Sequence, residues 1–235
     1  MGQIYLIRHG QASFGSANYD QLSDLGQEQA RLLGEWFANC KQEFHRVVVG
    51  GMQRHRQTAE ACLAGLAHAA PANSEWVTDP GFNEYDHHEV LVRYRPEFDD
   101  PVAARRFFVE TKNPRQAFQE IFQAAMARWM SGEHDADYSE PWPHFRQRCV
   151  AALERLVSSP GQSQSIAVFT SGGTIATLCQ HLLGLQDRQV ADLNWMLVNS
   201  AVTKLLYRPG RVTLSYLNNY SHLEWLGQPH TITYR

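Results

Sequence analysis

The chain has 235 residues, 43% of them hydrophobic, enough to bury a sizeable core as one domain with an insertion or as two small ones. A formal charge of −3 supplies no basic field for nucleic acid, and no apolar run approaches membrane-spanning length. The cations are eighteen arginines and three lysines. That bias suits bidentate recognition of oxyanions, although base composition of the genome is the blander cause.

In chain order, the first expected strand is Gln3–Arg8, an apolar run that ends in Arg8-His9-Gly10. It starts so early that no room is left for a charged and apolar leader. Leu6 stands where myristoylation after Gly2 needs Ser or Thr, and the expectation is a cytoplasmic protein. A helix follows over Asp24–Asn39 with Ser23 as its N-cap, then a strand over Arg46–Gly50 and a helix over Arg54–His68. After a short strand at Trp76–Val77, residues 80–143 are rich in Phe, Tyr, Arg and His and poor in strand signals. They read as an insertion, irregular at first and helical over Pro114–Ser131. A further helix is expected over Pro143–Val157. Strand Ile166–Thr170 leads into helix Gly173–Leu183, and strands Val202–Tyr207 and Arg211–Tyr216 close the chain as a hairpin turning at Pro209-Gly210. The first three main strands are near-continuous apolar runs, as in sheets covered on both faces. Cys40, Cys62, Cys149 and Cys179 show no CxxC spacing, which favours reduced thiols over disulfides or a metal site.

Four segments carry chemistry. Arg8-His9-Gly10 lies where open α/β sheets bind ligands, at the carboxyl end of a strand. A guanidinium there can hold two phosphate oxygens while the imidazole attacks phosphorus; the bland alternative is a buried structural pair. Gly50-Gly51-Met52-Gln53-Arg54 brings a second guanidinium toward the same edge, unless Arg54 is an ordinary surface residue. Gly81-Phe82-Asn83-Glu84-Tyr85-Asp86-His87-His88-Glu89 offers a carboxyl that could protonate a leaving alkoxide. His87-His88 lack the spacing of helical metal ligands, so no metal site is expected. Thr170-Ser171-Gly172-Gly173 ends a buried strand and opens a helix, leaving amide groups to meet an anion. It is neither a Walker loop nor a GxSxG elbow.

Taken together, Arg8-His9-Gly10, Leu22-Ser23 with Gly26 and Gln29-Ala30, Arg54 with Gln57-Thr58-Ala59, Asn83-Glu84 and Thr170-Ser171-Gly172-Gly173 resemble the histidine phosphatase superfamily, in its order and spacing. The resemblance implies a phosphoglycerate-mutase-like three-layer α/β/α sandwich with a mainly parallel mixed sheet. It implies one domain over 1–235, with a helical lid at about 80–143. His9 would be the nucleophile, Arg8 and Arg54 would grip the phosphoryl oxygens, and Glu84 would give the leaving oxygen its proton. Gln11, Ser171 and Gly172 would line the phosphate. The implied activity is metal-independent and cofactor-free hydrolysis of phosphomonoesters, of the histidine acid phosphatase kind, through a phosphohistidine. The substrate would be a small phosphorylated metabolite or a phosphoprotein. Tyr85, Arg93, Tyr94, Arg95, Phe107 and Trp142 would shape specificity, or simply form a satellite core.

Three departures stand out. Ser171 replaces the family's second histidine, Gly50 replaces its serine at the end of the second strand, and Ala12 and Gly15 replace the Ser and Asn that often follow RHG. Two alternatives stay open: mutase-type phosphoryl transfer, which needs a phosphohistidine shielded from water, and, because of Ser171, a weakly active or non-catalytic phosphate binder. His87 or His88 is a candidate replacement cation, and Ser171→His is expected to raise turnover if the weakened pocket limits the rate.

Overall fold

A strand that is apolar on both faces has to be covered on both sides, and three strands of this chain impose that demand. The computed structural model describes residues 1–13, 20–66, 69–158 and 164–234; Gly15 and His68 lie outside them. In chain order, β1 (Gly2–Arg8) is followed by α1 (Asp24–Asn39), β2 (Arg46–Val49), α2 (Gln53–Leu63) and a two-residue β3 (Val77–Thr78). Next come α3 (His87–Tyr94), α4 (Pro101–Glu110), α5 (Pro114–Met130) and α6 (Trp142–Ser158). The chain closes with β4 (Ser165–Thr170), α7 (Gly172–Leu183), α8 (Asp187–Met196), β5 (Val202–Arg208), β6 (Arg211–Asn219) and the single turn α9 (Ser221–Glu224).

The sheet runs β3-β2-β4-β1-β5-β6. β1, β2, β3 and β4 are mutually parallel, while β5 is antiparallel to β1 and to β6. This is the expected mixed, mainly parallel sheet. Strand alternation divides the core in two. Ile4, Leu6, Val48, Ile166 and Val168 pack with residues of α5, α6 and α7 on one face. Tyr5, Ile7, Val47, Val49, Ala167 and Phe169 pack with Ala30, Leu33 and Phe37 of α1 and Ala59 and Cys62 of α2 on the other. Helices on both faces make the three-layer sandwich.

Local signals account for the element ends. Ser23 accepts from the Gly26 amide at 3.0 Å and caps α1 at its expected start. Gly210 at φ +72° turns the β5–β6 hairpin.

The stretch expected to be irregular differs. It holds α3, capped by the Asp86 carboxylate on the amides of His88 and Glu89, and α4, capped by Asp100 with Pro101 in its first turn. A further helix, α8, precedes the buried Leu197 and Val198. Among the described residues, no helix is long and apolar enough to cross a membrane.

Candidate active site

β1, β4 and β2 all point their carboxyl ends at one edge, so the turns that follow them deliver their side chains to a common place. Register fixes the arrangement: Arg8 pairs with Thr170, and the His9 amide donates to the Thr170 carbonyl at 2.9 Å. His9 is therefore placed beside the Ser171 turn.

The turn after β1 requires its glycine for space. A Cβ on Gly10 would stand 2.2 Å from the Gly26 carbonyl oxygen, and one on Gly26 would stand 2.1 Å from the Gln11 carbonyl oxygen. The two backbones touch, and the Gly10 amide donates to Thr58 Oγ1 at 3.1 Å. Thr58 in turn donates to the Arg54 carbonyl at 2.7 Å, which ties the start of α2 to the turn after β1. Gln57 accepts from the Leu22 amide, and Gln29 accepts from the Gln11 amide, both at 2.8 Å. These glutamines, glycines and threonine thus bind the two turns together.

His9 is nearly buried, 6% exposed, and its Nδ1 lies 2.7 Å from the Gly10 carbonyl oxygen. A carbonyl only accepts, so Nδ1 carries the hydrogen and Nε2 keeps its lone pair. Burial, then the charges of Arg54 and Arg8, hold its pKa well below the usual histidine value. The shift favours the neutral imidazole. Arg8 donates through Nη1 to the Leu197 carbonyl, so the segment after α8 orients one guanidinium. Arg54, also buried, meets Asp20 Oδ1 at 2.7 Å, while the other oxygen of Asp20 accepts from the Gln53 amide at 2.8 Å.

Glu84 arrives from the opposite side. Arg148 of α6 grips the carbonyls of Pro80, Gly81 and Asn83 at 3.0, 3.2 and 3.1 Å and shapes the turn that presents it. Its Oε2 accepts from the Gly173 amide at 3.0 Å, and a Cβ on Gly173 would lie 2.2 Å from Oε1. A Cβ on Gly172 would lie 2.4 Å from Asn194 Oδ1 and 3.3 Å from Arg8 Nε. The double glycine therefore admits a carboxylate and a guanidinium. The expectation that the amides opening α7 are left for an anion needs correction, because Glu84 takes that of Gly173. Burial pushes the Glu84 carboxyl up; the Gly173 amide, Arg54 and Arg8 oppose the shift without cancelling it.

The remaining expected residues divide. Gln11 Oε1 accepts from Ser23 Oγ at 2.9 Å, beside the cap of α1. Ser171 is fully buried and its hydroxyl lies 2.7 Å from Nε2 of His55. His87 lies near enough to Arg54 for that charge, after burial, to lower its pKa, whereas His88 is exposed and 3.9 Å from Asp99. Trp142 and Tyr85 belong to the core around Trp129 and Phe145, so the bland reading holds for them. Arg95 pairs with Glu97, and Arg93 lies 3.6 Å from Glu89. Among the described residues, no group of three His, Cys, Asp or Glu could hold a metal ion. Sequence reasoning missed His55, Asp20 and Arg148. Of these His55 carried a visible signal, an imidazole directly after Arg54 at the start of α2.

A family model described as "Histidine phosphatase superfamily (branch 1)" matches residues 4–99 and 106–220. The chain belongs to the histidine phosphatase superfamily. Among curated relatives, the mitochondrial serine/threonine-protein phosphatase Pgam5 of Caenorhabditis briggsae is 29% identical over 124 residues, which is 52% of this chain and 40% of that protein. The match thus spans well under half of the relative. Among solved structures, phosphoglycerate mutase from Bacillus anthracis superposes with a TM-score of 0.65 at 16% identity, covering 97% of each chain. A phosphoserine phosphatase from Entamoeba histolytica gives 0.62 at 17% identity, covering 95% of this chain and 100% of that one. These two likenesses establish the phosphoglycerate-mutase-like fold of this superfamily member.

Proposed function

We propose that this histidine phosphatase hydrolyses phosphomonoesters through a phosphohistidine on His9. The observation that carries the reading is an imidazole with its Nε2 lone pair available beside two buried guanidinium groups, at an edge where Glu84 has its carboxyl pKa raised by burial. Arg8 and Arg54 spread the phosphoryl charge while Nε2 attacks phosphorus and the ester P–O bond breaks. Glu84 passes its proton to the departing oxygen. The resulting carboxylate then takes a proton from water as that water attacks the phosphohistidine, which frees inorganic phosphate and restores both groups. Guanidinium charge serves where other phosphatases use a metal, so the reaction is metal-independent.

A mere phosphate binder would gain nothing from a carboxyl held at the start of α7 with its pKa raised by burial, and Glu84 favours the enzyme. The substrate class is a small phosphorylated metabolite or a phosphoprotein, the latter in keeping with the name of the Pgam5 relatives. The segment at about 80–143 would form the lid that selects it.

The test is hydrolysis of p-nitrophenyl phosphate at mildly acidic pH. Turnover should persist with excess chelator and fall by about 10³-fold or more in His9→Ala. Activity retained by that variant would rule out the phosphohistidine route.

A further inference from the structure

His55 is fully buried and touches the site on two sides, yet the mechanism above gives it no role. Its ring centroid is 5.9 Å from that of His9, with the planes tilted by 35°, and its Nε2 is 2.7 Å from Ser171 Oγ. The ring fits only because residue 50 is glycine, since a Cβ there would stand 2.2 Å from Nδ1 and 2.8 Å from Cε1. Gly50 and Ser171 are both smaller than the residues that the family resemblance places there, and His55 occupies the space between them.

We propose that His55 is a positioning residue of the phosphoryl pocket, acting through the Ser171 hydroxyl and bracing the His9 ring. The proposal rests on the phosphatase reading and adds to it. A hydroxyl has one hydrogen, so Ser171 can donate to a phosphoryl oxygen only if His55 Nε2 bears a hydrogen and donates to Oγ. In that tautomer the bond to His55 aims the hydroxyl at the anion and supplies it with a polarised donor. No proton leaves the pair, and both groups return unchanged.

The pair also changes what a histidine at 171 would do. A ring there would collide with His55, so Ser171→His alone should lower turnover instead of raising it. The same change in a His55→Ala background would have room.

The experiment measures p-nitrophenyl phosphate kinetics and orthovanadate affinity for His55→Ala, Ser171→Ala, the double variant, His55→Gln, Ser171→His and Ser171→His with His55→Ala. Thermal melting checks that each is folded. Each single alanine variant should lose about ten- to thirty-fold in kcat/KM, and the double variant should lose no more than the worse single. His55→Gln retains a polar amide near the position of Nε2 and should recover to within about threefold of the parent. Ser171→His with His55→Ala should exceed His55→Ala alone.

Additive losses, or folded His55→Ala with unchanged kcat and vanadate affinity, would overturn the proposal and leave the phosphatase reading standing. If the parent protein hydrolyses nothing, the phosphatase reading fails, and the His55 proposal is then judged on vanadate alone. Equal, non-additive weakening by the two alanines would support it, and independent effects would sink it.

Discussion

The sheet edge and the α3–α5 segment are built on opposite terms. At the edge, Arg8, His9, Arg54, His55 and Ser171 are all buried; Arg8, Arg54, His55 and Ser171 bond to groups elsewhere in the chain, and the His9 ring bonds to the Gly10 carbonyl of its own turn. In α4 no residue is buried, and α5 buries only Ala125, Met126, Trp129 and Met130 near its C-terminal end. A run of ring contacts, Phe98–Phe107–Phe108–Phe118–Phe122–Trp195, with successive centroids 5.2 to 6.1 Å apart, links the outer part of this segment to the body. Val102 and Val109 remain exposed, the latter at 77%. The difference teaches where constraint lies. Phosphoryl chemistry needs fixed charges in fixed places, while selection of the rest of a substrate tolerates a surface that varies.

The largest expected effect tests the chemical floor. Glu84→Gln keeps the shape and removes the proton, so kcat on an alkyl phosphomonoester should fall by about 10²- to 10⁴-fold. The loss on p-nitrophenyl phosphate should be smaller, because its leaving group needs less help. The pH profile follows from two signs. Burial raises the Glu84 pKa, so the acid form survives above 4.5 and is lost as pH climbs through the raised value. Burial and the arginines lower that of His9, so the nucleophile survives below 6.5 and is lost only as pH drops through the lowered value. The two limbs enclose a mildly acidic optimum. A basic limb for kcat/KM that persists unchanged in Glu84→Gln would assign it to another group.

A second test asks whether the floor is the acid-sensitive region. It holds three buried neutral imidazoles: His9, His55 and His222, the last bonded to Ser200 at 2.8 Å and lowered by burial to about 3. A depressed histidine contributes full stability above its unfolded pKa, near 6.5, and loses it as pH falls toward the folded value. Each should therefore cost about 1.4 kcal/mol per pH unit below 6.5. Glu84 acts with the opposite sign and offsets part of the loss, because its raised pKa favours folding as pH falls toward 4.5. Urea melts at pH 7 and pH 5 should show a net loss of a few kcal/mol, and His222→Gln should flatten the slope by about one proton. A flat profile would mean that the floor opens to water in the folded state.

The same contrast explains what could be read from the chain. α1 declared itself through the Ser23 cap and a face carrying Ala30, Leu33 and Phe37, and β1, β2 and β4 through runs that are apolar on both faces. α4 and α8 are only ten residues each, and α4 buries no side chain while α8 buries only Val190. Their caps, Asp100-Pro101 and Gln186, were the signals left. At the site, Arg8, His9, Arg54 and Glu84 follow from motifs at strand ends. His55 does not, because its place depends on the room left by Gly50 and on Ser171, 116 positions further along the chain.

The smallest effect should come from the segment beyond the floor. Phe107 touches Phe98 at 5.2 Å and Phe108 at 5.5 Å, so Phe107→Ala breaks the chain of rings near its free end. The ring chain reaches the body at Trp195. The expected result is a kcat on p-nitrophenyl phosphate within about threefold of the parent, because the charges around His9 stay in place. KM for a phosphopeptide or a larger phosphorylated metabolite should rise several-fold more than KM for the small ester, since only the larger molecule reaches the segment. Equal changes for large and small substrates would show that α4 and α5 support the floor itself, and the division between fixed chemistry and variable selection would then have to be drawn elsewhere in the molecule.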